Sequence, residues 1–332
     1  MAEVISIASP ISALKVKPII QKQLHIAPPS PAHSTFDPSK HLNFVPPSNI
    51  LSLKDIGLPE DAGISPVAVS EPFPLFTPEA ISIMRHEIFT DAVWQNCLIS
   101  TDFAGCQLRG HCPKYAPFMH SAWTHPTTLS LISRIATIDL IPMYDYEIGN
   151  INISVNDPAD VAKRSATQSA SDLPVTKWHN DSYPFVCVVM MSDATNMSGG
   201  ETALQTGPGE ILKVRGPQMG HAIVLQGRCI THQALAALGG TERITMVTSF
   251  RPRDAFVKDT SVLTTIRPLS DLSELYFQWT RYRIEVLQER LRGMQEVMGE
   301  EQEGGRGADG EKIRGFLRGV EEWVRGTWGE IV

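Results

Sequence analysis

The hydrophobic pattern of this chain changes period twice. Up to about residue 70 it has no period at all. The stretch "HIAPPSPAHSTFDPSKHLNFVPPS" is rich in proline and serine, and it predicts an irregular or partly disordered arm draped on whatever follows. A helical period opens at "FTPEAISIMRHEIF", where Thr77 can cap, Pro78 suits the first helical position and Glu79 suits the dipole. A second helix is predicted in "THPTTLSLISRIA", with Leu129, Ile132 and Ile135 or Ala136 on one stripe. From 147 the period falls to two. Eight short runs follow, at 147–155, 175–183, 184–192, 201–206, 210–215, 221–226, 229–235 and 243–250. Gly199-Gly200, Gly207-Pro208-Gly209, Gly216-Pro217, Gly227 and Gly239-Gly240 separate them. After 256 the helical period returns. Leu272, Leu275, Trp279, Tyr282 and Val286 form a stripe, Leu287, Leu291, Met294 and Met298 continue it, and Ile313, Phe316, Leu317, Val320, Trp323 and Val324 mark a last helix.

This order predicts a mainly β protein with flanking helices. An arm (1–70) and a helical support region (71–145) precede a double-sheet jelly-roll core (146–255), and a helical extension (256–332) follows. The C-terminal stripe is expected either to pack on the back of the sheet or to pair two chains as a homodimer. One connection, 156–174, is long and polar, and its length suggests a lid or a disordered segment.

Composition narrows the function classes. The chain has 332 residues, 42% hydrophobic and 20% charged, which is a soluble globular balance. A net charge of −7 without a basic patch argues against nucleic acid as a partner. Five cysteines, an odd number without C-x-x-C spacing, suit a reduced, cytoplasmic protein. The first residues lack a basic start and are broken by Pro10, so a secretory signal is not expected. No run approaches the roughly 20 apolar residues of a membrane span.

The chemistry concentrates in "KWHNDSYPF". Alternate residues of an extended chain share a face, so His179 and Asp181 point together and Asn180 points away. An imidazole and a carboxylate on one face make two thirds of the facial triad that holds non-haem Fe(II). By itself H-x-D is a weak signal. "CITHQAL" supplies a second histidine, His232, 51 positions beyond Asp181. Eleven positions later Arg243 opens the last strand, with Thr245 on the same face, and together these can grip a carboxylate. Arg251 shares that face but lies eight residues on, about 26 Å along a strand, so both arginines cannot hold one small molecule. Arg243 is preferred because it is nearer His232 in sequence and has Thr245 beside it.

The ordered set His179, Asp181, His232, Arg243 and Thr245 resembles the Fe(II)/2-oxoglutarate-dependent dioxygenases over residues 145–255. The texture "WHNDSYPFVCVVMMSD…GGETALQTG…GHAIVLQGRCITH" is also similar to fungal oxygenases of secondary metabolism, some of which act on free amino acids and close an aziridine on valine. The resemblance implies a double-stranded β-helix core. It also implies Fe(II) held by His179, Asp181 and His232, and 2-oxoglutarate held at its far carboxylate by Arg243 and Thr245. With O2 as cosubstrate, a C–H bond of a small metabolite would be oxidised by hydroxylation, desaturation or ring closure, releasing succinate and CO2. Asp181 argues against halogenation, because halogenases of this type replace that carboxylate. A non-catalytic jelly-roll binding protein and a cupin-like metalloenzyme without 2-oxoglutarate are the alternatives. The intact triad with Arg243 argues against both.

Three further features remain open. Asn152 either bonds the cosubstrate or belongs to a structural polar face; with Asn150, Ser154, Trp178 and Tyr183 it is also a candidate pocket lining for a compact substrate. Lys163 and Arg164 either anchor a substrate carboxylate or simply solvate their loop. The cluster Cys106, His111, Cys112, His120 and His125 matches no standard zinc spacing and reads as support or pocket wall.

Overall fold

The computed structural model describes residues 35–101, 105–155, 176–216, 218–238 and 242–332. In chain order the strands are β1 (Ile50–Ser52), β2 (Val67–Ser70), β3 (Phe73–Pro74), β4 (Leu98–Thr101), β5 (Gly105–Leu108), β6 (Leu140–Pro142), β7 (Asn150–Val155) and β8 (Phe185–Met190). They continue with β9 (Ser198–Gly199), β10 (Thr202–Gln205), β11 (Ile211–Val214), β12 (His221–Leu225), β13 (His232–Ala234), β14 (Ala237–Leu238) and β15 (Glu242–Pro252). Besides a single turn at Pro38–His41, the α-helices are α1 (Pro78–Ile88), α2 (Asp91–Asn96), α3 (Pro117–Thr124), α4 (Pro126–Ala136), α5 (Leu272–Glu303) and α6 (Gly310–Trp328).

A large antiparallel sheet runs β1-β2-β12-β8-β15-β7-β5-β4, and a small sheet runs β11-β10-β13. The chain passes back and forth between them. β7, β8, β12 and β15 lie in the large sheet, while β10, β11 and β13 lie in the small one, extended by an isolated bridge between His179 and His232. That alternation is a double-stranded β-helix, as the spacing of the short runs predicted.

The period of two explains why the sheets stack. On the outer face Ile151, Ile153, Cys187, Val189, Ala222, Val224, Ile244, Met246 and Phe250 pack against Ile81, Met84, Ile88, Trp123, Ile132 and Ile135 of the support helices. On the inner face Val186, Ile223 and Leu225 meet Leu204, Val214 and Ile230 from the small-sheet side. Thr77 caps α1 by accepting from the Ala80 N–H, with Pro78 in the first turn, as expected.

Three expectations change. The described part of the 175–183 run, from residue 176 on, forms no strand: it makes one bridge and then turns at Ser182–Pro184 into β8. Proline has no N–H for a ladder, and the chain must cross here from one sheet to the other. Within the described part of the arm, two short strands interrupt the irregular chain. β1 and β2 extend the large sheet past β12, and the Gln226 side chain clamps them, accepting from Ile64 N–H and donating to Ser65 and Val67 carbonyls. Finally, the C-terminal helices do not cover the back of the sheet, which the support helices already occupy. Leu275, Trp279, Tyr282 and Val286 of α5, with Trp323 of α6, pack instead on Met143, Tyr146, Tyr183, Leu263 and Ile266. The opposite side of α5 exposes Phe277, Ile284, Leu291 and Met298 at seven-residue intervals. The 156–174 connection, with Lys163 and Arg164, lies outside the described residues. No described helix is long and apolar enough to cross a membrane.

Candidate functional site

His179, Asp181 and His232 converge. Their ligand atoms lie within 4.8 Å of one another, and among the described residues no other group of histidine, cysteine or acid side chains gathers in this way. Asp181 Oδ1 sits 3.7 Å from His179 Nε2 and 3.5 Å from His232 Nε2. Local bonds set this geometry. His179 and His232 exchange both backbone hydrogen bonds, at 3.0 and 2.9 Å, and Asp181 N–H donates to the Gly227 carbonyl at 2.9 Å. One bridge and one bond thus replace the expected strand and still keep the two side chains together.

The donors suit a divalent metal. His179 Nδ1 is 2.7 Å from the Lys177 carbonyl and His232 Nδ1 is 2.9 Å from the Ile230 carbonyl. A carbonyl only accepts, so each Nδ1 carries the proton and each Nε2 turns a lone pair to the centre. Asp181 Oδ2 is buried without a hydrogen-bond partner. Burial works against the Asp181 carboxylate, but the charges of His232 and His179 outweigh it and hold the group below the usual range. For His232 burial lowers, yet the Asp181 charge prevails and raises it. Each group therefore favours its charged form only because the other is there, and a cation can replace those protons. The floor of the site is Gly227, where an added Cβ would collide with Asp181 Oδ2, so only glycine allows the carboxylate this position.

Arg243 and Thr245 line the inner face of β15, paired with Ser154 and Asn152 of β7. Burial alone pushes the Arg243 guanidinium below the ordinary arginine value, and its Nε has no hydrogen-bond partner. Its neighbour Glu242 does not neutralise it. That carboxylate is on the other face, 2.8 Å from Arg85 Nη2. Arg243 is half-buried, its Nε is buried, and no described acid pairs with it, so an anion would relieve the desolvated guanidinium. Arg251 is already engaged: it lies over the Tyr282 ring, 5.3 Å from its centroid, and its Nε donates to the Met143 carbonyl. The site thus favours Arg243 over Arg251.

The other candidates separate. Asn152 accepts from Gln107 Nε2. Trp178 is 40% exposed. Tyr183 is buried, and its hydroxyl meets Tyr144 in the aromatic cluster under α5. The Cys106, His111, Cys112, His120 and His125 set, read as support rather than zinc ligands, is dispersed: His120 pairs with Asp145, His125 caps α4, and all five cysteines are free. Sequence reasoning missed the buried pair Arg109–Glu147, whose charged groups are 38 positions apart. It also missed the Gly227 floor; the only hint was a glycine just before "RCITH".

No family model matches the chain, and no curated protein matches it. Among solved structures, similar ones include a Pseudomonas putida prolyl-4-hydroxylase, at 13% identity and TM-score 0.35, covering 53% of this chain and 88% of that one. HygX from Streptomyces hygroscopicus, with nickel and 2-oxoglutarate bound, aligns at 13% identity and TM-score 0.38, over 58% of this chain and 85% of that one. The non-haem α-ketoglutarate-dependent epimerase SnoN from nogalamycin biosynthesis gives 18% identity and TM-score 0.33, over 45% and 61%. Likeness this distant carries no function across, and the chemistry of the site has to stand on its own residues.

Proposed function

We propose that the chain is an Fe(II)- and 2-oxoglutarate-dependent oxygenase. The observation that carries this is the pairing, inside one fold, of a two-histidine-one-carboxylate face with a half-buried arginine whose Nε is buried and which meets no acid among the described residues. His179, Asp181 and His232 would hold the metal, and Arg243 with Thr245 would hold the far carboxylate of 2-oxoglutarate. Bound Fe(II), with 2-oxoglutarate and O2, supplies the oxidising chemistry: the keto acid leaves as succinate and CO2 while one substrate C–H bond is oxidised.

The chain's own residues supply the rest. The Lys177 and Ile230 carbonyls lock both rings with Nε2 inward. Asp181 contributes the one negative charge of the ligand set, and the buried surroundings of Arg243 strengthen its hold on an anion. The aliphatic cluster of Val186, Ile223, Leu225 and Leu204 keeps water from one side of the space. The substrate is a compact metabolite, and the sequence resemblance points to a free amino acid such as valine in fungal secondary metabolism.

The decisive experiment needs no substrate. Wild-type protein with Fe(II), O2 and 2-oxoglutarate should release succinate slowly, and His232→Ala should not. Wild-type protein that binds Fe(II) but never consumes 2-oxoglutarate would fit a cupin-like metalloenzyme instead.

A further inference from the structure

The inner face of the large sheet continues beyond Arg243, across β7 to β5. Register puts Gln107 opposite Asn152, and Leu108 opposite Ile151 on the helix-covered face. Gln107 and Asn152 therefore face the same way as Thr245 and Arg243. One residue past β5, Arg109 is level with Asn150, and both reach Glu147: Arg109 Nη2 pairs with Oε1 and Asn150 Nδ2 donates to Oε2 at 3.0 Å. On this face Gln107 Oε1, Arg109 Nε and Asn150 Oδ1 are buried and find no hydrogen-bond partner among the described residues. Arg109 is 7% exposed and Asn150 5%.

Such groups are rarely left unpaired, since each gives up its water without gaining a partner. The amide orientation of Asn150 follows from chemistry, because a carboxylate accepts and only the NH2 end can face Glu147. Asn150 Oδ1 is thus an acceptor in need of a donor. Arg109 Nε–H is a donor in need of an acceptor. Glu147 already cancels the Arg109 charge.

We infer that Gln107, Arg109 and Asn150 form the substrate-positioning wall. Its ligand is a compact, net-neutral molecule carrying an amine- or amide-type N–H donor beside a carbonyl or carboxylate acceptor. This rests on the oxygenase assignment for its role but not for its binding. A purely hydrocarbon substrate would leave all three atoms unsatisfied. A simple anion would meet Glu147 and two amide oxygens.

The test reads binding without metal. Saturation-transfer NMR on the metal-free full chain uses three probe sets: L-amino acids, the matching primary amines, and the matching carboxylates. Only molecules carrying both groups should give transfer. Gln107→Leu, at a half-buried position that spares the Arg109–Glu147 pair, should weaken that binding ten-fold or more, and Ile284→Ala, on the exposed side of α5, should not. In the loaded protein, Gln107→Leu should raise KM for the bound amino acid ten-fold or more, while KM for the keto acid cosubstrate should change far less. Equal transfer to amines or carboxylates alone, no transfer to any amino acid, or an unmoved KM in Gln107→Leu would overturn the assignment. Amino-acid binding without any succinate release would sink the oxygenase reading and leave the wall standing.

Discussion

The space between the two sheets has two unlike sides. Under β8 and β12 it is aliphatic, lined by Val186, Ile223 and Leu225 and closed by Leu204, Val214 and Ile230. Under β15, β7 and β5 it is polar, lined by Arg243, Thr245, Asn152, Asn150, Gln107 and Arg109, several of them with buried atoms that no described group satisfies. Both sides share one backbone pattern. The difference is that the first side finishes its interactions within the chain and the second does not. Completed packing supplies stability, whereas incomplete hydrogen bonding is what a ligand can complete.

The largest effect should come at the triad of His179, Asp181 and His232. Gly227→Ala should abolish Fe(II) binding as fully as His179→Ala or His232→Ala, because the new Cβ occupies the place of Asp181 Oδ2. Anaerobic Fe(II) with 2-oxoglutarate should give the wild type a weak visible band. A Gly227→Ala protein that keeps the band and full turnover would show that Asp181 is not held as described.

On the aliphatic side, Ile223→Ala should cost about 2–5 kcal/mol of stability and leave the KM for 2-oxoglutarate nearly unchanged. Urea unfolding checks the first and succinate assays the second. On the polar side the split should reverse. Arg243→Ala should raise the 2-oxoglutarate requirement tens-fold, for a lost charge-assisted pair worth about 2–3 kcal/mol. Arg251→Ala, which loses only the Tyr282 and Met143 contacts, should change that requirement much less. The opposite ranking would mean that Arg251 is the cosubstrate anchor.

A smaller effect should come from His111, a buried group against Gly149 that belongs to neither side. Burial pushes its imidazole down to about 4 from the usual 6.5. Below pH 6.5 the unfolded chain takes up a proton that the folded chain refuses, so stability falls as the pH drops toward 4. At pH 5 the loss should be about 2 kcal/mol. Comparing urea midpoints at pH 7.5 and 5 should show that His111→Phe flattens the dependence. An unchanged slope would mean that His111 is hydrogen-bonded or hydrated.

Much of the fold was legible because the two sheets impose a strict alternation. Seven of the eight predicted strands are present, and their inner residues include Arg243, Thr245 and Asn152. The triad was legible because alternation in an extended segment survives even without a ladder: His179 and Asp181 share a side although only one bridge holds them. What was not legible depends on contacts between distant segments. Nothing local marks Glu147 as the partner of Arg109, or Gln226 as a clamp on the arm. The C-terminal stripe announced a buried face but not its address, because an amphipathic pattern does not name what it packs against.

The clamp at Gln226 also sets an order of assembly. Ile64 and Gln226 are 162 positions apart, and Gln226 directly precedes the glycine beneath Asp181. During synthesis β2 emerges early and has only β1 beside it until β12 exists. Closing so long a loop carries a large entropic cost before any contact offsets it, which makes such pairings slow. Docking of the arm is therefore a late event. The carboxylate floor becomes rigid with it, and iron added during refolding should be captured no faster than that final closure.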